Sequence, residues 1–333
     1  MTNFSLHNYR NQTIKYKMFI SYTQKDTNKI IYDEIKKASK YIHITTMFFN
    51  DEGLSLDFIK LLNDKVKEHP DIKIHINIGL NPFLKTNIEE NTLDKKIHLK
   101  KIPMRTIDTY HIRLFSTESI FAVGGIDITK LNLVKHYIQF TLFIPIQNNV
   151  FISKTISNKN ILYDFTEDKN SYNVSNIDPY TKVNQLIDNS KKHIFIDNQY
   201  LFSNTFINKL IQKKTNNHDI KIEVYSNENF HNNIFKSNNI FIDFVNSIKD
   251  NSFNFLNQNN MKKLKNKKIY NTLKNNNNKY THNKLFIFDK EYILFGSMNI
   301  MDKSLQSSGG DIELCVLVKN KKLANEMLDY YKL

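Results

Sequence analysis

Apolar residues follow two spacings along this chain, and the two alternate in the same order twice. Ile31 to Asn50 reads IYDEIKKASKYIHITTMFFN: helical spacing first, then a nearly continuous apolar strand. Val183 to Phe202, VNQLIDNSKKHIFIDNQYLF, repeats that helix-to-strand order with similar residues. A second helical segment follows in each case, Leu56–His69 and Asn204–Lys214. Each is succeeded by a matching strand, His69-Pro-Asp-Ile-Lys-Ile-His-Ile76 and His218-Asp-Ile-Lys-Ile-Glu-Val224. Strand–helix–strand order in both halves predicts α/β architecture, with sheets flanked by helices. Self-similarity over roughly half the chain indicates a duplication, not a short-period solenoid.

A third repeat carries the candidate chemistry. Lys284-Leu-Phe-Ile-Phe288 reads as a strand, Asp289-Lys-Glu291 as a turn and Tyr292-Ile-Leu-Phe295 as the returning strand. Alternate side chains of a strand share a face, so His282 and Lys284 project the same way. Gly296, Ser297 and Asn299 arrive on the next strand. Thr109-Tyr-His111-Ile-Arg113, followed by Glu118, repeats the spacing of His282, Lys284 and Asp289. Gly124-Gly125-Ile-Asp127 stands where Gly296-Ser297-Met-Asn299 stands, one residue closer to its histidine. An imidazole beside a fixed cation suits attack on a phosphate ester.

Plainer readings apply to the other candidates. Asp289 and Glu118 read as turn or salt-bridge residues supporting the motif, not as reacting groups. Gly124, Gly125 and Gly296 read as backbone requirements, for tight turns or close approach of a phosphate. The nine histidines outside the two motifs, His43, His75 and His193 among them, read as structural or solvated. No ligand spacing for zinc occurs, and no nucleotide-binding glycine pattern.

The 333 residues divide into a first half over 1–150, a polar linker over 151–178 and a second half over 179–333. The lysine- and asparagine-rich stretch Asp250–Lys279 reads as a solvated, mobile insertion, or alternatively as an anion-collecting lip. A net charge of +14 favours anionic partners without separating lipid from nucleic acid. Cys315, the single cysteine, excludes an intrachain disulfide and reads as a packed core residue. No signal peptide and no membrane-spanning run is evident, so the expected location is intracellular, cytoplasmic or peripheral to a membrane.

The paired motifs resemble the phospholipase D superfamily, whose mark is two H-x-K-x4-D motifs on two similar halves. In the second half His282, Lys284, Asp289, Gly296, Ser297 and Asn299 all match. Asp311-Ile-Glu313 looks like the family's D-x-E segment, and Ile194-Phe-Ile-Asp-Asn-Gln-Tyr-Leu201 resembles a segment of phospholipid-hydrolysing members. Phe121-Ala-Val-Gly-Gly-Ile-Asp127 is similar to a stretch of the same branch. The first half departs from the pattern: Arg113 replaces the lysine, Glu118 the aspartate, and Tyr137 stands where a family aspartate follows His136.

The resemblance implies an α/β fold of two similar halves with mixed, largely parallel sheets, related by a pseudo-twofold axis, with the active site at their interface. It implies a phosphodiesterase or phosphatidyltransferase that works without cofactor or metal through a phosphohistidine. One histidine attacks phosphorus and the other protonates the leaving oxygen; which one attacks stays open, since the better-matching His282 could be the nucleophile while in relatives the first-half residue often fills that role. By that resemblance His111, His282, Lys284, Arg113, Asn299 and Glu313 are catalytic, and Ser297, Gly125 and Gly296 bind substrate. Glu313 is expected to hold His282, and two coupled imidazoles to give a bell-shaped pH–rate profile. The expected substrate is a phospholipid at a membrane surface. The alternatives are a nuclease of the same superfamily, or a catalytically weak, membrane-associated (possibly viral) relative. The oligomeric state stays open.

Overall fold

The computed structural model describes residues 18–46, 54–80, 88, 92–103, 110–126, 137–146, 160–166, 173–175, 177–227, 255–271, 280–302, 304–305 and 310–332. The first half contributes β1 (Phe19–Ser21), α1 (Gln24–Lys37), β2 (Tyr41–Thr46), α2 (Leu54–Glu68), β3 (Lys73–Leu80) and β4 (Ile97–Pro103). It continues with β5 (Leu114–Thr117), β6 (Ile120–Gly124), β7 (Tyr137–Ile138) and β8 (Thr141–Pro145). After β9 (Ile161–Phe165) and β10 (Asn173–Val174) come α3 (Pro179–Asn189), β11 (His193–Asn198), α4 (Asn204–Asn216) and β12 (Lys221–Tyr225). A further helix, α5, spans 255–266. The chain then forms β13 (Tyr270–Asn271), β14 (Tyr280–Thr281), β15 (Lys284–Phe288), β16 (Tyr292–Gly296), β17 (Leu314–Lys319) and α6 (Lys321–Tyr330).

The duplication is visible in strand order. One sheet runs β8-β6-β5-β2-β3-β4 with β1 added at its edge, and the other runs β17-β16-β15-β11-β12-β13 with β9 and β10 added. The six central strands correspond one to one, with the same pairing directions. The sheets are mixed as expected, but the parallel share is smaller. Parallel pairing holds for β2-β3-β4, β11-β12-β13 and β17-β9, while the motif hairpins β5-β6 and β15-β16 are antiparallel. A turn of two or three residues cannot return a strand in the parallel direction.

Two other expectations change. β9 and β10 fall in the segment read as a linker, yet β9 pairs with β17 and so belongs to the second sheet. Within Asp250–Lys279, the described part is not irregular: α5 buries Asn257, Asn260, Met261 and Leu264, and β13 pairs with β12. Polar Asn and Lys dominate its outward positions and hid the helical spacing.

Local sequence explains the helix starts. Thr23, Asp178, Ser203 and Asn320 cap α1, α3, α4 and α6 by accepting backbone N–H bonds. The inner faces of the two sheets meet in one core, where Ile112, Leu114, Phe121 and Leu142 join Phe195, Leu285, Phe295 and Val316. Cys315 is buried in the cluster beneath the second half's helices, as expected, and burial raises its thiol pKa.

Candidate active site

The two motifs converge where the halves touch. Tyr110 bridges Ile312, and β14 pairs with β7, so the residue before each histidine is bonded to the opposite half. His111 donates its backbone N–H to Ile312 O at 3.0 Å. His111, Arg113, Lys284, Asn299 and Glu313 are all buried, and His282 is close enough to feel the charges of Lys284, Arg113 and His111.

Glu313 does not serve the histidine expected of it. Its carboxylate lies against His111, with Nδ1 at 3.1 and 3.2 Å from its two oxygens, so the second half supplies the acid for the first half's imidazole. Strand register shows why. Gly296 pairs with Cys315 as Gly124 pairs with Thr141, which puts Gln139 at the position in the first half that Glu313 holds in the second. The crossed arrangement gives His111 a carboxylate and leaves an amide at the corresponding place beside the other motif. Tyr137 lies two residues earlier, in β7, at the position corresponding to Asp311; its side chain, His136 and Asp127 lie outside the described residues.

Electrostatics separates the imidazoles. Burial, then the charges of Lys284, Arg113 and His111, holds the His282 pKa well below its ordinary 6.5. Burial first, and the Asp311 carboxylate second, raises Glu313 to about 8. Arg113 Nη1 lies 3.5 Å from His282 Nδ1. A guanidinium can only donate, so this contact makes Nδ1 the acceptor and puts the ring proton on Nε2. Lys284 Nζ donates to Gln199 Oε1 at 3.2 Å and to His282 O at 2.9 Å.

The remaining candidates divide. Ser297, expected to contact substrate, instead donates its hydroxyl to Glu313 and accepts from Leu314 N at 2.9 Å. Gly296 is required by the neighbouring strand: a Cβ there would sit 2.1 Å from Leu314 O. Gly125 likewise faces Gln139, whose Cγ would lie 2.7 Å from such a Cβ, and its N–H bonds Phe140 O. Both close approaches are to neighbouring protein atoms. Asn299 remains a ligand candidate, because its buried Oδ1 has no hydrogen-bond partner.

Asp289 and Glu118 perform matching structural tasks. Asp289 accepts from the backbone N–H groups of Lys191, Lys192 and His193, and Glu118 from those of Ser39, Lys40 and Tyr41. Partial burial opposes their ionisation, but these amides outweigh it and lower both pKa values. Each ties its motif hairpin to the start of the adjacent strand. Gln199, Gln139, Asn283, Asp197 and Tyr331 also belong to the site's surroundings and were not singled out by sequence spacing. The Ile194–Leu201 segment resembles a family stretch, but nothing in it signals that Gln199 accepts from Lys284.

The site thus groups two imidazoles with a guanidinium, an ammonium and a carboxyl group between two mixed sheets of the same strand order. Residues 183–332 match the family described as the PLD-like domain of cardiolipin synthase. Among solved structures, phosphatidylserine synthase from Haemophilus influenzae is similar at 10% identity and a TM-score of 0.67, covering 95% of this chain and 85% of that one. Polyphosphate kinase from Porphyromonas gingivalis is similar at 11% identity and a TM-score of 0.59, over 95% of this chain but 46% of its own. A mutant yeast tyrosyl-DNA phosphodiesterase matches at 14% identity and a TM-score of 0.52, covering 92% and 91%. No curated protein matches in sequence. The domain match covers just under half of the chain, and the solved structures share its fold.

Proposed function

We propose that this protein is a phosphodiesterase or phosphatidyltransferase acting on a phospholipid headgroup through a phosphohistidine. The observation that carries the reading is the unequal pairing of the two imidazoles. Glu313 engages His111 at Nδ1, which leaves Nε2 to attack phosphorus once the carboxylate is ionised. The ring becomes positively charged as the N–P bond forms, and Glu313 offsets that charge. Arg113 directs the proton of His282 to Nε2, from which it can pass to the departing oxygen. A neutral imidazole gives up its proton at a pKa near that of an alcohol, so it need not be charged to do this; a low-pKa histidine of that kind is known to act as an electrophile. In the second step water or an alcohol gives its proton to His282 and displaces His111 from phosphorus. Lys284 and Arg113 stabilise the phosphoryl oxygens throughout.

The lipid assignment is supported by the cardiolipin synthase domain match over the second half and by the similarity to a phosphatidylserine synthase. The +14 charge and the similarity to a tyrosyl-DNA phosphodiesterase favour a nucleic-acid ester as the second reading. The test is a parallel assay on phosphatidylcholine vesicles, cardiolipin vesicles and single-stranded DNA, with His111→Ala and His282→Ala as controls. The account expects headgroup release from lipid, reduced at least roughly 10³-fold in each variant. Cleavage confined to DNA would overturn the lipid assignment.

A further inference from the structure

Glu313 supports His111 directly, whereas Gln139 at the equivalent place supplies no carboxylate for the other motif. A second buried acid lies behind His282. Asp197, at the inner end of β11, is fully buried. Its Oδ2 accepts from Thr281 Oγ1 at 2.9 Å, from Asn283 Nδ2 at 2.8 Å and from the Tyr331 hydroxyl in a short contact. Thr281 and Asn283 are the two residues flanking His282. Asn283 Nδ2 also lies 3.2 Å from the Tyr331 hydroxyl, and its Oδ1 accepts from Phe140 N of the first half at 2.7 Å.

One side chain therefore gathers both neighbours of the motif histidine, the end of α6 and, through Asn283, the opposite sheet. The arrangement is particular to the second half, because Ile112 occupies the position of Asn283 in the first motif. Tyr331 is held by more than its hydroxyl. Its ring packs on Phe195 at 4.7 Å, Tyr225 at 5.2 Å and Tyr330 at 5.6 Å between centroids. Asp197, Thr281 and Asn283 are buried and Tyr331 is partly buried, and removing one partner from such a buried polar cluster is costly, so it tolerates few alternative geometries.

We infer that Asp197 and Tyr331 are positioning residues for His282, fixing its backbone and ring against Arg113 through Thr281 and Asn283. The inference deepens the proposed two-histidine mechanism and rests on His282 being the proton donor. It makes a hydroxyl carried at the end of α6 part of the working site, although that hydroxyl bonds Asp197 and Asn283 and not a histidine.

The test uses Tyr331→Phe, which removes one oxygen and keeps the ring, and Asp197→Asn, which keeps the shape, in the full chain. Two readouts separate the inference from the proposed activity. Spectra of protein labelled with 15N in its histidines report the His282 tautomer without turnover. The expected result is a single Nε2–H form in the wild type and a mixed or shifted signal in both variants, with the His111 signal unchanged. Where turnover is measured, kcat should fall roughly tenfold in Tyr331→Phe with KM unchanged. If the His282 signal of the folded Tyr331→Phe protein matches wild type, the positioning role is wrong, whatever the substrate. If the spectra change as expected and no phosphodiester is cleaved by wild type, the positioning role stands and the proposed function fails.

Discussion

Glu313 and Gln139 occupy equivalent positions in the two sheets, and that one difference makes two similar histidines unequal. Burial raises Glu313 to about 8, so at neutral pH the pair it forms with His111 retains a proton that blocks attack. As pH rises to about 8 the carboxylate ionises, Nδ1–H is held and Nε2 is freed. His282 is already neutral well below 6.5, so its donor proton does not titrate in this range. The bell-shaped profile expected from two coupled imidazoles is therefore replaced by a single ascending limb in kcat/KM, with a plateau above about pH 8. Glu313→Gln should abolish that limb and reduce the plateau roughly 10²-fold.

The same carboxyl links to stability. A folded-state pKa raised from 4.5 to about 8 means its contribution is fully present below 4.5 and lost as pH rises through 8. Glutamine does not titrate. The Tm of Glu313→Gln minus that of wild type should accordingly climb across this window, in a thermal-denaturation series. A flat difference would show that Glu313 is not a displaced titrating group.

At the scale of elements, the motif hairpins are held by backbone fit. β16 approaches β17 so closely at Gly296 that a single methyl group would collide with Leu314 O. Gly296→Ala is expected to cost about 3 kcal/mol, read as a fall in Tm, because backbone on the neighbouring strand cannot step aside like a flexible side chain. At the tip of this hairpin Asp289 and Lys290 adopt left-handed conformations, φ 50° and 58°, within the three-residue turn that joins β15 to β16. Asp289 adds three amide bonds to the chain entering β11. Those elements were legible in sequence: strand alternation located β15 and β16, and the position of Asp289 in a turn indicated a structural carboxylate.

What sequence could not supply was the crossing between halves. Spacing along one motif suggests that a nearby acid serves the histidine of its own half, and Glu313 was accordingly expected at His282. Only the interdigitation of the sheets carries it to His111. Ser297 illustrates the same limit: its hydroxyl is polar and near the motif, but Glu313 consumes it. Tyr331 gave no signal at all, because its role depends on α6 folding back over β11. Helix α5 was obscured for a different reason, its buried face being built partly of asparagines that bond the backbone of Leu201 and Asn227.

For the whole molecule, duplication has produced two scaffolds of the same topology with divided labour. The second half carries the better-conforming motif and matches the cardiolipin synthase domain description, while the first contributes His111, Arg113 and the amide position at Gln139. Neither half holds a complete site, since the acid for His111 comes from β17's approach and the guanidinium beside His282 comes from β5's approach. Among the described residues no helix is long and apolar enough to cross a membrane.

That His111, held by Glu313, is the group that takes phosphorus is what we propose. It is tested most directly by quenching the enzyme in acid-free conditions during turnover of a 32P-labelled phosphodiester and mapping the labelled peptide. Label is expected on the peptide containing His111 in wild type and is expected to be absent from His111→Ala. Label on the His282 peptide in wild type and in His111→Ala would contradict it.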